Sequence, residues 1–497
     1  MDPENLPVIV GVGQVNDRPQ DAAGGLNPVG LMAAALRKAE ADAGAESLLA
    51  DAEWLGVVRQ ISFPDIKDAG PPVAEVIGAD RAETFQTHGP NGDSPVMLLN
   101  EAANRIGAGE IKVALVAGAE ALRTAAAKVA AAEGGRKLDA TREASHRRKL
   151  GYPQSHGLVA PVDVYPLYEN ALRASLGQSL EEAQAESGAI WSLFSQVAAE
   201  NENAWIRNPV SAQDVVTPTE KNRPIAWPYT KLQVANAAVN QGAGFIVTSV
   251  GEARRRGIPE ARWIYVGNGA AAHESDDFMA RDRFDHSPSM EVSIRRTLEL
   301  NALKPSDLDV VELYSCFPCI PKLARRVIDW PLDKPATVFG GLTFGGGPIG
   351  NYMSHAIDSM VDVLRAKGGT GLLFANGGFA THNHTIAISG RPIPAASFPK
   401  SYDFQAEADA ARGPIPAMAE DYAGPATIET FTVFHHRDGT PRAGVVVART
   451  PSGERTLAHV PGDDTETIAR LTSGETEAVG TVGTIEPGEP LRRWRFA

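Results

Sequence analysis

The chain has 497 residues, with 61 acidic against 47 basic side chains, a formal net charge of −14, and 43% hydrophobic, 22% charged and 6% aromatic residues. That hydrophobic content excludes extended disorder, and the surplus of negative charge opposes a phosphate backbone, so nucleic acid is not expected as a partner. The two cysteines, three positions apart, build neither a disulfide framework nor a four-cysteine zinc site, and no leader or membrane-length apolar run is seen, so a cytoplasmic protein free of the membrane is expected.

Residues 8–10 read as a buried strand running into a glycine turn at Gly11 and Gly13, followed by a helix opened by Asn27 and Pro28 and closed by Gly44. Residues 57–62 form a second strand. A second helix is capped by Ser94 and Pro95, with Val96, Leu99, Ala103 and Ile106 on one face, and residues 113–117 close the unit as a third strand. Residues 120–243 are a long insertion, Ala-rich and helical at first, then rich in Pro and Tyr, and too long for a plain connector.

The same succession then recurs. A strand at 263–266 runs into Gly267 and Gly269, a helix covers about 289–301, and a strand occupies 310–315. A helix carrying Ile357, Met360, Val361 and Leu364 follows, and then a strand at 371–375 ahead of Asn376 and Gly377. The repetition predicts an α/β protein with a duplicated βαβαβ core and parallel sheets buried on both faces. One half spans 1–119 plus 244–259, and the other spans 260–391. Prolines through 392–425 mark a linker. Residues 426–497, with strands at 427–435, 443–448 and 455–460 and one helix at 464–471, read as a small OB-like β-barrel.

In such a fold ligands collect at the carboxyl ends of strands, which directs attention to the loops after Ile61, Ala117, Leu313 and Ala375. Gly11 and Gly13 lack the third glycine of a dinucleotide fingerprint, so no nicotinamide is expected. Six glycines lie between Gly340 and Gly350, but the lysine and hydroxyl of a phosphate loop are missing. Cys316 and Cys319 have redox spacing without a thioredoxin-like context and read as pocket wall. His382 and His384, flanking Asn383, read as solvated or hydrogen-bonded rather than metal-bound, so no metal is expected.

Several stretches together carry a resemblance: 165–173 (Tyr-Pro-Leu-Tyr-Glu-Asn-Ala-Leu-Arg), 222–231 (Asn-Arg-Pro-Ile-Ala-Trp-Pro-Tyr-Thr-Lys), 313–317 (Leu-Tyr-Ser-Cys-Phe), Gly340 to Gly350, and Asn376-Gly377-Gly378. With the duplicated core, the long insertion and the extra C-terminal barrel, the chain resembles the thiolase superfamily. Within it the nearest group is the type-1 thiolase-like proteins, often labelled acetyl-CoA acetyltransferases. The resemblance implies a layered α-β-α-β-α fold and an acyl-CoA or coenzyme A substrate whose pantetheine arm threads between the halves. It places Arg223 and Lys231 at the coenzyme A phosphates, and Gly346, Gly347, Asn376 and Gly377 along the ligand. It also implies either a homodimer or a separate zinc-ribbon-type partner protein.

The family's catalytic positions do not carry over intact. The nucleophilic cysteine falls on Gly92, the histidine of the Gly-His-Pro loop on Gly347, and the second cysteine near Ala375 or Asn376. Where sterol-carrier-type thiolases have His-Asp-Cys-Phe, this chain has Tyr314-Ser315-Cys316-Phe317. An acyl-enzyme on the usual cysteine is thereby excluded. The expected function is acyltransferase-type C–C bond chemistry next to a coenzyme A thioester, with Tyr314, Cys316 and Tyr352 as candidate catalytic side chains. Two alternatives stand beside it. One is a retro-aldolase on β-hydroxyacyl-CoA in which Tyr314 and Tyr352 act as base and donor. The other is a non-catalytic coenzyme A binder whose barrel recruits a partner. Within the acyl-transfer reading, Cys316 or Ser94 would be a displaced nucleophile.

Overall fold

A computed structural model describes residues 2–132 and 151–497; the stretch 133–150 of the expected insertion lies outside the described residues. The main sheet runs β3 (Glu83–Gln86), β2 (Trp54–Val57), β4 (Val113–Ala121), β7 (Asn240–Ser249), β1 (Pro7–Asn16), β8 (Ile264–His273), β11 (His382–Ser389), β10 (Thr370–Gly377), β9 (Val310–Leu313). Its centre is a short antiparallel contact in which Val8 faces Tyr265 and Ile9 faces Ile264. On either side the pairing repeats. β1 with β7 and β8 with β11 are antiparallel, as are β7 with β4 and β11 with β10, while β4 with β2 and β10 with β9 are parallel.

The duplication is therefore real, but the sheets are mixed rather than parallel. The reason is β7 and β11, which return antiparallel beside the strands on both sides. β11 comes off a tight connection after β10, where Gly378 has φ of +65°. The expected glycine turns after the first strand of each half are also corrected. Gly11 and Gly13 lie inside β1, where a Cβ would press on the carbonyls of Ala39 and Ala35 in the helix α1 (Pro28–Ala43). Gly267 and Gly269 likewise lie inside β8, where a Cβ would meet the Asn301 side chain at Gly267 and the Thr385 carbonyl of the neighbouring strand at Gly269.

α1 packs on β1, β7 and β4, and the helix Pro288–Leu300 packs on β8 and β11. Between the two halves lie the Ser94–Gly107 helix and the Tyr352–Lys367 helix, each touching strands of both. These are the five layers of the α-β-α-β-α arrangement. The central helices are buried on most sides: Val96, Leu98, Leu99, Ala102, Ala103 and Ile106 are fully buried in one, and Met353, Ile357, Met360 and Val361 in the other, alongside the buried polar Asn100, His355 and Asp358. Among the described residues no helix is long and apolar enough to cross a membrane.

The C-terminal region is a closed five-stranded barrel of β12 (Gly424–His435), β13 (Pro441–Arg449), β14 (Arg455–Pro461), β16 (Arg493–Phe496) and β15 (Val482–Glu486), shut by the pairing of β13 with β12. A hairpin from the insertion, β5 (Pro224–Ala226) and β6 (Tyr229–Thr230), extends it where Ala226 faces Phe434. The Pro161–Ser175 helix also grips β12: Asn170 Nδ2 donates to the Phe431 carbonyl at 2.8 Å, and the Thr430 hydroxyl donates to the Leu167 carbonyl at 2.6 Å. The buried Arg455 guanidinium donates to the main chain of Arg281 at 2.7 Å and pairs with Glu429 at 2.6 Å, which welds the barrel to the second half.

Candidate functional site

The Ser94–Gly107 helix begins in the middle of the molecule, with Pro95 in its first turn, where no amide is needed for the helix ladder. Its entry loop, Pro90–Asp93, meets the ends of β9 and β10 and the start of the Tyr352–Lys367 helix. A Cβ built at Gly92 would collide with the Asn376 carbonyl and the Tyr314 hydroxyl, and would lie 2.6 Å from Tyr314 Cζ. A Cβ at Gly377 would lie 2.7 Å from the Gly92 amide nitrogen, and one at Gly350 would lie 2.7 Å from the Pro90 carbonyl carbon. Three backbones therefore converge where only glycine fits.

Tyr314 is held by its amide, which donates to the Phe374 carbonyl at 3.1 Å. Its ring meets that of Tyr352 edge-on, with centroids 5.7 Å apart. Tyr352, the first residue of its helix, donates its hydroxyl to Glu312 Oε1 at 2.7 Å. The other Glu312 oxygen accepts from the Thr337 hydroxyl at 2.8 Å and the Val338 amide at 2.9 Å. Burial pushes the Glu312 carboxyl up to about 7 and both tyrosines well above their usual value. Sequence reasoning passed over Glu312, whose signal was an acid inside an otherwise apolar strand.

Burial likewise pushes the Cys316 thiol up to about 12, which leaves it protonated and a poor nucleophile. Cys316 instead contributes its carbonyl, which accepts from the Ala235 amide at 3.2 Å. Ser94, the other displaced-nucleophile candidate, is buried. Asn376 donates from Nδ2 to Asn383 Oδ1 at 2.9 Å and turns its carbonyl toward Gly92.

The structure separates Gly346 and Gly347 from this cluster. Gly346, at φ of +108°, packs on Gln241, and the Gly347 amide donates to the Asn236 carbonyl at 2.9 Å. It is Gly350, further along the same loop, that reaches the Pro90–Gly92 turn. The glycine richness of this segment answers close packing: Gly340 and Gly341 have φ of +110° and +69° and lie against Ala198 and Phe194 of the Leu180–Glu200 helix.

Arg223 and Lys231 flank the β5–β6 hairpin and are brought together by the Lys231 amide donating to the Arg223 carbonyl at 2.9 Å. Among the described residues neither side chain has an ion-pair partner. From Lys231 the chain runs to Ala235 and Asn236, which bond the backbones of Cys316 and Leu342, so one segment links the basic pair to both glycine-loop and tyrosine clusters. Sequence reasoning also missed Asp93 and His273. Asp93 follows Gly92, is buried, and has its carboxyl raised to about 6 by burial, partly offset by His273. His384, by contrast, lies opposite Asn100 Nδ2 at 3.3 Å, and burial pushes it down to about 3.

Residues 403–489 match the family model described as the thiolase-like protein type 1 additional C-terminal domain. The structure is similar over its whole length to that of a monomeric SCP2-thiolase-like protein type 1 from Mycobacterium smegmatis, with 31% identity, a TM-score of 0.83 and 100% of each chain covered. An Ltp2–ChsH2(DUF35) aldolase aligns at 19% identity and a TM-score of 0.60, covering 78% of this chain and 99% of that one. Human mitochondrial 3-ketoacyl-CoA thiolase in complex with CoA aligns at 16% identity and a TM-score of 0.58, over 78% and 99% of the two chains. A search of curated proteins finds no match.

Proposed function

The chain belongs to the SCP2-thiolase-like protein type 1 family, and from that premise we propose that it binds a coenzyme A thioester between its two halves without forming an acyl-enzyme. The observation that carries this reading is the space at Gly92. The volume that a nucleophilic side chain would occupy already holds the Asn376 carbonyl and the Tyr314 hydroxyl. The remaining thiol nearby, Cys316, is buried and protonated. Neither Gly92 nor Cys316 therefore offers covalent acyl transfer a nucleophile.

Retention of ligand binding is supported by the fold shared with a thiolase described in complex with CoA. It is also supported by the unpaired Arg223 and Lys231 at the far end of the segment leading to the site. Their two cations suit the phosphates of the nucleotide end. The monomeric relative favours a chain that acts alone over a homodimer or a zinc-ribbon partner.

A second reading has one specific observation in its favour. Tyr314 puts a hydroxyl where the family's nucleophile would stand, and the fold is shared with an aldolase. In retro-aldol cleavage of a β-hydroxyacyl-CoA, a base takes the β-hydroxyl proton and the Cα–Cβ bond breaks. Its electron pair passes to the thioester enolate and an aldehyde or ketone leaves. With its value raised by burial, Tyr314 serves better as a donor to the enolate oxygen than as the base.

Calorimetric titration with coenzyme A and acetyl-CoA, followed by turnover assays on a β-ketoacyl-CoA with free coenzyme A and on a β-hydroxyacyl-CoA, tests both readings. Saturable binding, lost in Arg223→Ala/Lys231→Ala, with no thiolysis, is the expected result. Aldehyde or ketone release that depends on Tyr314 selects the second reading. Absence of binding to any coenzyme A species, or thiolysis by the parent chain, overturns the first.

A further inference from the structure

Asp93, His273 and His382 come from three separate elements. Asp93 precedes the Ser94–Gly107 helix, His273 ends β8, and His382 begins β11. In the β8–β11 register the two histidines are direct cross-strand partners, and their rings meet edge-on with centroids 4.8 Å apart. One ligating atom from each histidine and a carboxylate oxygen of Asp93 all lie within 4.8 Å of one another.

The bonding around these atoms is unusual. Asp93 is only 8% exposed, and at a helix N-cap a carboxylate ordinarily accepts from the first-turn amides, yet it makes no such bond. No hydrogen bond from another described residue reaches its carboxylate. Neither imidazole makes a side-chain hydrogen bond among the described residues; beyond each other and Asp93, the acidic groups near them are Asp276, whose carboxylate lies 3.6 Å from His382 Nε2, and Asp403 near His273. A buried carboxylate without partners is costly unless a positive charge sits against it.

From this juxtaposition we propose that Asp93, His273 and His382 form a binding site for a divalent first-row transition ion, with zinc as the reference ion and Asp276 at the rim as a fourth ligand. Two imidazoles and one carboxylate are a donor set that suits such ions and leaves positions open. Metal bonds of about 2.0–2.2 Å hold neighbouring ligands roughly 3–3.5 Å apart. Ångström-scale rotation of the exposed His273 and half-buried His382 closes the present spacing. A cleft of about 750 Å³ lined by Tyr402 and Asp403 opens beside His273. His384 lies outside this cluster, with its Nε2 against Asn100 Nδ2.

The test is independent of coenzyme A. Chelator-treated, dialysed protein is titrated with Zn²⁺ by calorimetry and with Co²⁺ by visible absorption, and its melting is followed with and without Zn²⁺. One ion per chain, d–d bands from Co²⁺ and a Zn²⁺-dependent rise in melting temperature are expected. Asp93→Asn, His273→Gln and His382→Gln should each weaken binding tenfold or more, while His436→Gln on the barrel surface leaves it unchanged. Should Asp93→Asn fail to fold, the exposed His273→Gln decides alone. No saturable binding, or binding equal in parent and His273→Gln, would show a plain Asp–His pair and overturn the assignment.

Discussion

Placing a thiol at Gly92, where the thiolase resemblance puts a nucleophile, should fail, and the structure says by how much. Gly92→Cys places a Cβ against the Asn376 carbonyl, which is backbone in β10, and within 2.6 Å of the buried Tyr314 ring. Neither neighbour has room to yield, because Tyr314 is packed against Tyr352 and Asn376 is fixed by Asn383 and Tyr165. Overpacking of this kind costs about 1–3 kcal/mol, and a clash with backbone belongs at the upper end. Gly92→Ala should show nearly the same loss, since the Cβ alone creates the conflict. In a Tyr314→Ala background only the carbonyl contact remains, so the penalty of Gly92→Ala should shrink by roughly 1 kcal/mol. Urea unfolding of the four proteins in this cycle, with thiolysis of a β-ketoacyl-CoA followed in parallel on Gly92→Cys, gives the comparison. A Gly92→Cys chain as stable as the parent, or one that gains thiolysis, would refute the reading of the site as closed.

Other expectations follow from the same region. Native protein should resist a thiol reagent such as Ellman's at pH 8 and release both thiols only on unfolding, because Cys316 and Cys319 are buried and protonated. Glu312 sits above its unfolded value of 4.5, at about 7, so the folded state holds a proton that the unfolded chain has released. Its contribution is complete below about pH 4.5 and declines through pH 7 by about 1.4 kcal/mol per unit. Glu312→Gln, which mimics the neutral form and lets Tyr352 accept instead of donate, should flatten that part of the stability profile and gain on the parent at pH 8. Lys322 is buried with Glu169, to which Nζ donates at 2.5 Å, and Tyr229 donates to the second oxygen at 2.9 Å. Lys322→Met should cost about 3–5 kcal/mol in denaturant unfolding, and Glu169→Leu in the same chain should recover most of it.

The duplicated core was legible because its apolar runs, such as those at Val113 and Gly371, recur in order with helices of matching phase between them. The antiparallel strands β7 and β11 were not, since nothing local tells a strand which way its neighbour runs. Gly11 and Gly13 misled for a related reason: a glycine that ends a strand and one that lets a helix press on it look alike in sequence. β15 and β16 were missed because they are short and half polar, Ile485 and Trp494 being their buried large side chains.

At the site, the absence of a side chain at Gly92 was visible once the helix starting at Ser94 had been placed, but its occupation by Tyr314 was not. Gly346 and Gly347 were drawn into the site by the resemblance to the thiolase Gly-His-Pro loop, whereas the chain's path brings Gly350 there. Of Asp93, His273 and His382 only His382 stood out in the sequence, and beside the wrong histidine, because strand register brings His273 to it and the start of a helix brings Asp93.

The hairpin at Pro224–Thr230 and the Asn170 side chain bear on how the molecule has to be handled. Because they clasp β12 from outside, the barrel of residues 424–497 is not a removable appendage. A stop codon before Gly424 would remove the Phe431 ring that stacks on Trp227 and leave the Asn170 amide without the Phe431 carbonyl and the Leu167 carbonyl without the Thr430 hydroxyl. Such a shortened protein should aggregate rather than survive as a minimal core, and cloning boundaries drawn at the proline-rich stretch would cut through a shared interior.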